Sequence, residues 1–358
     1  MATLPYQSLP RAAGRDGASA RPIAWWLLFC CAMVFAMAVI GAVTRLTESG
    51  LSMVEWRPLV GVLPPLSEAE WNRVFDLYRE TPEYRHVNRG MSLEEFRYIF
   101  YWEWFHRLWG HLIGIAFAVP LAWFALRRQI PAGLMPKLLG LLALGALQGF
   151  VGWFMVVSGL VDRPSVSHYR LAMHLSLAFL IYALLLWVAL GLLGGGGDAR
   201  IGEDRARRLR VHGGLALALA GVTMVWGAFV AGLDAGLIHP DWPLMGGRFV
   251  PSEAWHLEPA WLNLFENHAT VQFFHRWIAV ATGLLALSFA WRAGRGGAGP
   301  RVRLAAVLLA GMTVVQVSLG IATLHTGVAI PVAAAHQAGA LGLLTFLVWL
   351  LSELRRPA

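Results

Sequence analysis

Cysteine, lysine and charge are all scarce in this chain of 358 residues. The two cysteines, Cys30 and Cys31, are adjacent inside an apolar run, so they offer neither a disulfide framework nor a spacing typical of a zinc site. Lys137 is the single lysine, and only 14% of the residues are charged whereas 57% are hydrophobic. A soluble domain carries roughly 25% charged residues, so this composition predicts an integral membrane protein.

Long apolar runs account for most of the chain. A helix needs about 20 apolar residues to cross a bilayer. Eight runs have this length, and they cover residues 22–43, 104–126, 136–157, 169–193, 209–233, 272–292, 302–325 and 331–353. The sequence therefore predicts an all-α integral membrane protein with eight transmembrane helices.

The arginines predict how these helices are oriented. They concentrate at both ends of the chain and in the connections that follow the second, fourth and sixth runs. The positive-inside rule therefore places both termini in the cytoplasm. Residues 1–21 lack an apolar core, so we expect a cytoplasmic tail and not a cleaved secretory signal, with a short mitochondrial transit peptide as the alternative. The net charge of +8 then reflects topology in a bacterial inner membrane and contact with lipid, and no nucleic acid is expected as a partner.

The chain also repeats itself, which predicts its internal symmetry. Four segments of the first part resemble four of the second: 41–61 and 227–247, 103–114 and 272–283, 148–159 and 316–327, 174–187 and 336–349. We expect two four-helix bundles, residues 22–193 and 209–354, related by a pseudo-twofold axis along the membrane normal. The polar residues 194–208 form the predicted cytoplasmic linker between them.

The long connection between the first two runs contains two helix-start patterns. "SEAE" at 67–70 and "SLEE" at 92–95 each resemble a capping box. Trp71, Phe75 and Tyr78 follow the first pattern at helical spacing. We expect two short amphipathic helices on the outer membrane surface, and whether they contribute to a site or only cover the surface stays open.

Four histidines occupy equivalent positions in the repeat, each near the start of an even-numbered run: His106, His174, His275 and His336. All four are therefore expected near the outer face of the membrane. An ionisable side chain in a membrane helix is costly and is a functional candidate. A single one could be a hydrogen-bonded core residue, but four at matched positions are hard to explain in that way. Histidine pairs on neighbouring helices of a bundle suit bis-histidine ligation of haem, and zinc is a poorer fit because further ligands are missing.

Glycines are frequent in the same runs, and two roles stay open for them. They would let a flat macrocycle approach the helix backbone, or they would let helices pack closely. The residues concerned are Gly110, Gly114, Gly149, Gly152, Gly283, Gly320, Gly327 and Gly339.

The two halves differ beside their first histidine. Glu103 precedes His106 by three residues, whereas Gln272 precedes His275 by three. Residues three apart share a helix face, so Glu103 is expected to face the His106 site. A carboxyl can take or give a proton and an amide cannot, so the first half is predicted to be reactive and the second to transfer electrons. The alternative is that Glu103 forms a salt bridge with Arg107 or with a loop arginine.

At these residues the chain resembles the haem A synthase family, over nearly all of residues 22–354. The motifs that carry the resemblance are "GAVTRLTESGLSMVEWRPLVGVLPPL", "WNRVFDLYRETPEY", "EEFRYIFYWEWFHRLWG", "LAMHL", "FFHRW" and "AAHQ". The long first loop is similar to that of the branch shared by alphaproteobacteria and mitochondria. Another branch carries a cysteine pair in its outer loops. This chain has no cysteine there, which excludes a mechanism that needs a loop thiol.

The resemblance implies an oxidoreductase that converts haem O to haem A for cytochrome oxidase. It oxidises the methyl group on C8 of the porphyrin to a formyl group, with water and an electron acceptor. Carried over by motif, His275 and His336 resemble the ligands of a permanent haem b, and His106 and His174 those of the substrate haem. Glu103 resembles the essential carboxylate of the family.

Arg107 and Arg276 each follow a ligand histidine directly. Haem carries two propionates, and arginine pairs with carboxylates through a rigid fork of donors. We hypothesise that each arginine anchors a propionate, Arg276 that of haem b. The alternative is snorkelling of the side chain to the membrane interface.

Two other functions remain open at this stage, a dihaem b-type cytochrome for electron transfer and a haem carrier without chemistry. Partners that the resemblance implies are haem O synthase, which is a farnesyltransferase, and cytochrome oxidase assembly factors. A homo-oligomer is also open.

Overall fold

Helices make up nearly all of the regular structure in the computed structural model, which describes residues 16–55, 63–159, 165–194 and 200–355. Eight helices of the described ranges are long and apolar enough to cross a membrane, which confirms the predicted class. They are α1 (Asp16–Leu46), α4 (Leu93–Leu126), α5 (Met135–Gly159), α6 (His168–Leu192), α7 (Glu203–Gly232), α9 (His268–Gly294), α10 (Pro300–His325) and α11 (Ile330–Glu353).

The eight helices form two rings of four. In the first half α1 contacts α4, α4 contacts α5, α5 contacts α6, and α6 returns to α1. In the second half α7, α9, α10 and α11 close a ring in the same order. The halves meet where α1 contacts α11 and α6 contacts α7, and α6 also contacts α11. This pairing is consistent with the pseudo-twofold arrangement that the repeat predicts.

Most helices are longer than their apolar runs. α7 begins at Glu203, so the last residues of the predicted linker are helical. α4 begins at Leu93, eleven residues before the predicted run at 104. Its N-cap is Ser92, whose hydroxyl accepts a hydrogen bond from the backbone of Glu95 while the Glu95 carboxylate accepts one from the backbone of Ser92. The predicted second surface helix at 92–95 is therefore wrong as a separate element, because this capping box starts a transmembrane helix.

A small cap of helices covers the end of the first half at which the histidines lie. It consists of α2 (Glu68–Arg79), which the sequence predicts, and α3 (Pro82–His86), which it does not. The cap rests on the first turns of α4 through a buried aromatic cluster made of Trp71, Phe75, Tyr78, Phe96, Ile99 and Phe100. Two short connecting helices, a 3-10 turn at Ala260–Leu262 and α8 (Asn263–Glu266), precede α9 at the corresponding end of the second half.

Candidate functional site

Each of the four predicted histidines faces a glycine on the preceding membrane helix. A Cβ atom added to that glycine would lie only 2.9–3.3 Å from the imidazole ring, whereas ordinary contacts begin near 3.4 Å. The pairs are Gly41 with His106, Gly152 with His174, Gly227 with His275, and Gly320 with His336. A side chain at any of these glycines would occupy the space that the imidazole ring uses.

The structure brings the histidines together in the pairs that the sequence predicts. His106 on α4 packs against Gly41 of α1 and His174 on α6 packs against Gly152 of α5, within one ring of helices, and we call them the N-terminal pair. His275 on α9 and His336 on α11 pack in the same way against Gly227 of α7 and Gly320 of α10, and they form the C-terminal pair. Each half therefore contains one pair of imidazoles inside its own ring of helices.

Hydrogen bonds orient these rings differently in the two halves. In the C-terminal pair, His275 Nδ1 donates to the backbone oxygen of Thr223 at 3.2 Å, which leaves Nε2 available as a ligand. His336 Nδ1 is buried without a hydrogen-bond partner. In the N-terminal pair, the Gln148 amide lies 3.2 Å from both ring nitrogens of His174. The matched Gln316 donates to the backbone oxygen of His336 at 3.0 Å, as Gln148 does to the backbone oxygen of His174 at 3.1 Å.

These features test whether the pairs fit haem. A haem iron takes one imidazole nitrogen from each face, and the macrocycle needs a narrow space between helices. Two imidazoles inside each ring of helices supply the ligand atoms, the glycines beside them leave room for the rings, and in the C-terminal half His336 Nδ1 is a buried ring nitrogen without a hydrogen-bond partner. The donor chemistry of these residues fits bis-histidine ligation of haem.

Glu103 lies one turn from His106 and is only 2% exposed. Its Oε2 accepts hydrogen bonds from Ser52 Oγ and from the backbone N–H of Met53, both at 2.7 Å. Its Oε1 is 2.5 Å from an Arg107 guanidinium nitrogen, which also donates to Met53 O at 3.0 Å. The salt bridge that the sequence leaves open as an alternative is thus present, and it holds the Glu103 side chain beneath the loop that follows α1.

The second half builds the corresponding contact from an amide. His239 matches Met53 in the repeat. Gln272 donates to the backbone oxygen of His239 at 3.1 Å. Arg276 donates to that same oxygen at 2.5 Å, and also to the backbone oxygens of Asp241 and Leu244.

Arg276 is only 5% exposed, so its side chain does not snorkel to an interface. Its terminal nitrogens hold the loop after α7, while Nε is buried without a hydrogen-bond partner. The propionate anchor therefore stays a prediction, and holding this loop is the function of Arg276 that the contacts describe.

Some residues of the site were not found from the sequence. Ser52 and Met53 contact Glu103 although about 50 residues of chain separate them from it, and no local sequence pattern predicts that contact. Gly41 and Gly227 were also missed, although both stand at the first position of the same repeated segment. A comparison of the glycine positions in the two halves of the repeat would have identified both residues.

Fold and site together define a multi-pass membrane protein with a matched pair of buried histidines in each half. The model of the COX15-CtaA family, described as cytochrome oxidase assembly protein, matches residues 24–348. The chain belongs to this family.

Similar proteins cover almost the whole chain. A heme A synthase of Rhodospirillum centenum is 59% identical over 352 residues, which is 98% of this chain and 93% of the relative. A heme A synthase of Nitrosospira multiformis is 50% identical, with 98% of both chains covered. One of Parvibaculum lavamentivorans is 47% identical over 95% of this chain and 97% of its own.

Proposed function

We propose that this protein is a haem A synthase, an oxidoreductase that converts the C8 methyl group of haem O into a formyl group. The observation that carries the proposal is the difference between two matched histidine sites. One contains a buried carboxylate, Glu103, and the other contains an amide, Gln272. Similarity over nearly the full length to proteins named heme A synthase supports the same activity.

Glu103 is the residue that we assign to proton transfer in this reaction. Oxidation of a methyl group by water releases protons together with electrons, so the site needs a base. Arg107 forms a salt bridge with Glu103, and the donors at Ser52 and Met53 fix the position of its carboxyl group. His106 and His174 would hold the iron of the substrate haem, and Glu103 lies one helical turn from His106 on the same helix.

We assign the C-terminal pair to a resident haem b. When bound, this haem supplies a carrier that accepts electrons one at a time. The hydrogen bond from His275 Nδ1 to Thr223 fixes the ring tautomer in which Nε2 is free for iron. Position 272 carries an amide, so this half has no carboxyl group at the position that matches Glu103.

The surroundings of the enzyme are proposed from the charge pattern. Arginine clustering supports a bacterial inner membrane with both termini in the cytoplasm and the histidine sites near the outer face. This activity requires haem O synthase to supply its substrate, and cytochrome oxidase assembly factors to receive its product.

The test is expression together with the haem O-making farnesyltransferase in a host that lacks haem A, followed by pigment extraction. The wild-type protein should yield haem b together with haem A, and any haem O that accompanies them is unconverted substrate. Glu103→Gln should keep the fold and haem b and should accumulate haem O or a partly oxidised form. Glu80→Gln, which changes an exposed carboxyl of the cap, is the matched control and should behave like wild type.

Other results would reject parts of the proposal. Haem b alone would indicate a dihaem cytochrome, and haem O that is bound but never oxidised would indicate a carrier. Wild-type yields of haem A from Glu103→Gln would remove Glu103 from the reaction.

A further inference from the structure

A basic cavity lies at the end of the second half that is opposite its histidines. It is a recess of about 250 Å³ between the start of α7 and the end of α9. Four guanidinium groups and two apolar side chains line it: Arg205, Arg208, Leu209, Trp291, Arg292 and Arg295. None of these described lining residues carries a carboxylate, so the charge of the recess is positive throughout.

Arg205 closes one side of this basic cavity. Its guanidinium donates to three backbone oxygens at the C-terminal end of α9, those of Arg292, Arg295 and Gly296. The C-terminal end is the negative end of a helix dipole. Arg205 therefore covers the backbone groups that would repel an anion, and it does so without a carboxylate that would cancel its own charge.

The other three arginines of the cavity are exposed, and neighbouring rings hold two of them. Arg292 donates to Nδ1 of the buried His212 at 3.2 Å. The Arg295 guanidinium lies 4.2 Å from the centre of the Trp291 ring, which is a cation–π contact. These contacts involve neutral groups, so they fix the guanidinium groups and leave their charge in place.

Nearby carboxylates do not neutralise the cavity. Glu203 lies at the start of α7 but pairs with Arg210 at 2.6 Å. Asp204 is exposed and does not line the recess. Within the described ranges no ion pair joins a cavity arginine to a carboxylate. Four positive charges around one recess attract an anion, and arginine suits phosphate because its planar fork donates two parallel hydrogen bonds.

Apolar stripes lead along both helices to the cavity. On α7, Val211 and Leu215 are exposed three and seven residues after Arg208. On α9, Leu284 is exposed seven residues before the exposed Trp291. Residues at these spacings share a helix face, and both helices are long and apolar enough to cross a membrane. Each stripe therefore faces lipid, and tryptophan at its end is typical of the level where the membrane meets water.

The repeat shows that membrane orientation alone does not account for the cavity. The positions that match the four arginines in the first half carry no positive charge: Ser19, Pro22, Trp123 and Leu126. Arg127 and Arg128 supply positive charge to that half, and both are exposed on the turn after α4. The positive-inside rule requires arginines at this end of the protein, but it does not require four of them around one recess.

We propose that the basic cavity binds the headgroup of an anionic phospholipid, with phosphate between the arginines and an acyl chain along the apolar stripe that ends at Trp291. Basic pockets between membrane helices bind headgroups of this class. A free phosphate ion would use the same arginine donors but would gain nothing from the apolar stripes. The lipid is the occupant that uses both features.

Native mass spectrometry of the purified holoprotein in detergent tests this site. The probes are dioleoyl phosphatidylglycerol, the neutral dioleoyl phosphatidylcholine, and inorganic phosphate. The wild-type protein should retain phosphatidylglycerol more tightly than phosphatidylcholine. Arg208→Gln/Arg295→Gln should weaken that binding roughly 30-fold, because each arginine near a lipid phosphate contributes a factor of about five. Arg127→Gln/Arg207→Gln removes two exposed arginines that do not line the cavity, and it should bind phosphatidylglycerol like the wild type.

Three results would overturn the proposal. Equal weakening in the two double variants would show a general attraction by surface charge. Equal retention of phosphatidylcholine would show that the phosphate charge is not recognised. Binding of inorganic phosphate without retention of phosphatidylglycerol would show that the arginines take a free anion. Haem content per protein should equal that of the wild type in both variants, which separates a loss of lipid binding from a loss of folding.

A brominated lipid tests the position of the acyl chain independently. Phosphatidylglycerol with bromine on its acyl chains quenches tryptophan fluorescence at short range, and the part of the quenching that Trp291→Phe removes belongs to Trp291. That part should be present in the wild type and lost in Arg208→Gln/Arg295→Gln. Its absence from the wild type, or its persistence in the arginine variant, would overturn the proposal. Neither measurement uses turnover, so both remain decisive if the proposed reaction fails.

Discussion

The glycine opposite His336 provides a test of the haem b site that leaves its ligands unchanged. Gly320→Ala places a methyl carbon 2.9 Å from His336 Cε1. The best separation between two carbon atoms is about 3.5–4.0 Å, so the ring has to move by roughly 0.6 Å or more. A histidine that moves this far no longer meets the iron in its best position.

The cost follows from the size of the added group. Overpacking a filled site by one methyl costs about 1–3 kcal/mol. Alanine stabilises a helix by about 1 kcal/mol relative to glycine, so the folded protein should survive. If the strain is felt only with haem bound, the affinity for haem b falls roughly 5- to 150-fold, since about 1.4 kcal/mol is a factor of ten.

Gly311→Ala is the matched control, because it lies on the same helix and a Cβ there meets nothing within 4 Å. The assay is the amount of haem per purified protein, its low-spin signal, and its rate of transfer to an added apo-globin. We expect faster transfer and a weaker low-spin signal for Gly320→Ala alone. Equal haem content and equal transfer rates in the two variants would refute the steric reasoning.

Three further outcomes test the remaining parts of the site. Alanine in place of either histidine of the C-terminal pair should abolish low-spin haem b, whereas alanine in the N-terminal pair should preserve much of that signal and disrupt binding of the substrate haem. Arg276→Leu removes hydrogen bonds to the loop that are worth about 1.5–3 kcal/mol each, so the rate of hydrogen exchange in residues 239–244 should rise. If the reduction potential of haem b stays unchanged in this variant, Arg276 holds only the loop and does not anchor a propionate. Burial raises the pKa of Glu83 on α3 from 4.5 to about 8. Its contribution to the stability of the cap is therefore complete below pH 4.5 and is lost as the pH rises through 8. Hydrogen exchange of residues 68–86, corrected for the intrinsic effect of pH on exchange, should accelerate up to about pH 8 in the wild type and not in Glu83→Gln.

The number and type of the membrane helices were predictable because apolar length is a local property of the chain. The pairing of the four histidines was predictable for a different reason, since the repeat relates residues that lie far apart in sequence. Neither argument predicts the residue at which a helix begins or ends. The start of α4 at Leu93 depends on a capping box beyond the apolar run, and a capping box looks the same before a surface helix as before a membrane helix.

The partners of Glu103 could not be predicted in the same way. The sequence offered Arg107 as an alternative because residues four apart meet on a helix. The contacts of Ser52 and Met53 with Glu103 depend on where the loop after α1 folds back. Tertiary packing of this loop against the cap sets that position. The burial of Glu83 also depends on tertiary packing. A proline and a carboxylate near the start of a helix would by themselves predict a solvated turn.

The loop backbone explains why the two halves carry different side chains at one position. At Met53 the backbone presents an N–H to position 103, and a carboxylate can accept from it. At the matched His239 the backbone presents a carbonyl oxygen to position 272, which an amide can satisfy and a carboxylate would repel. Arginine reaches the loop carbonyl in both halves and so cannot account for the difference. A glutamate at 272 would therefore not reproduce the first site unless the loop also turned its N–H inward, and the proposed division between a reactive half and an electron-carrying half depends on the loop as much as on the residue.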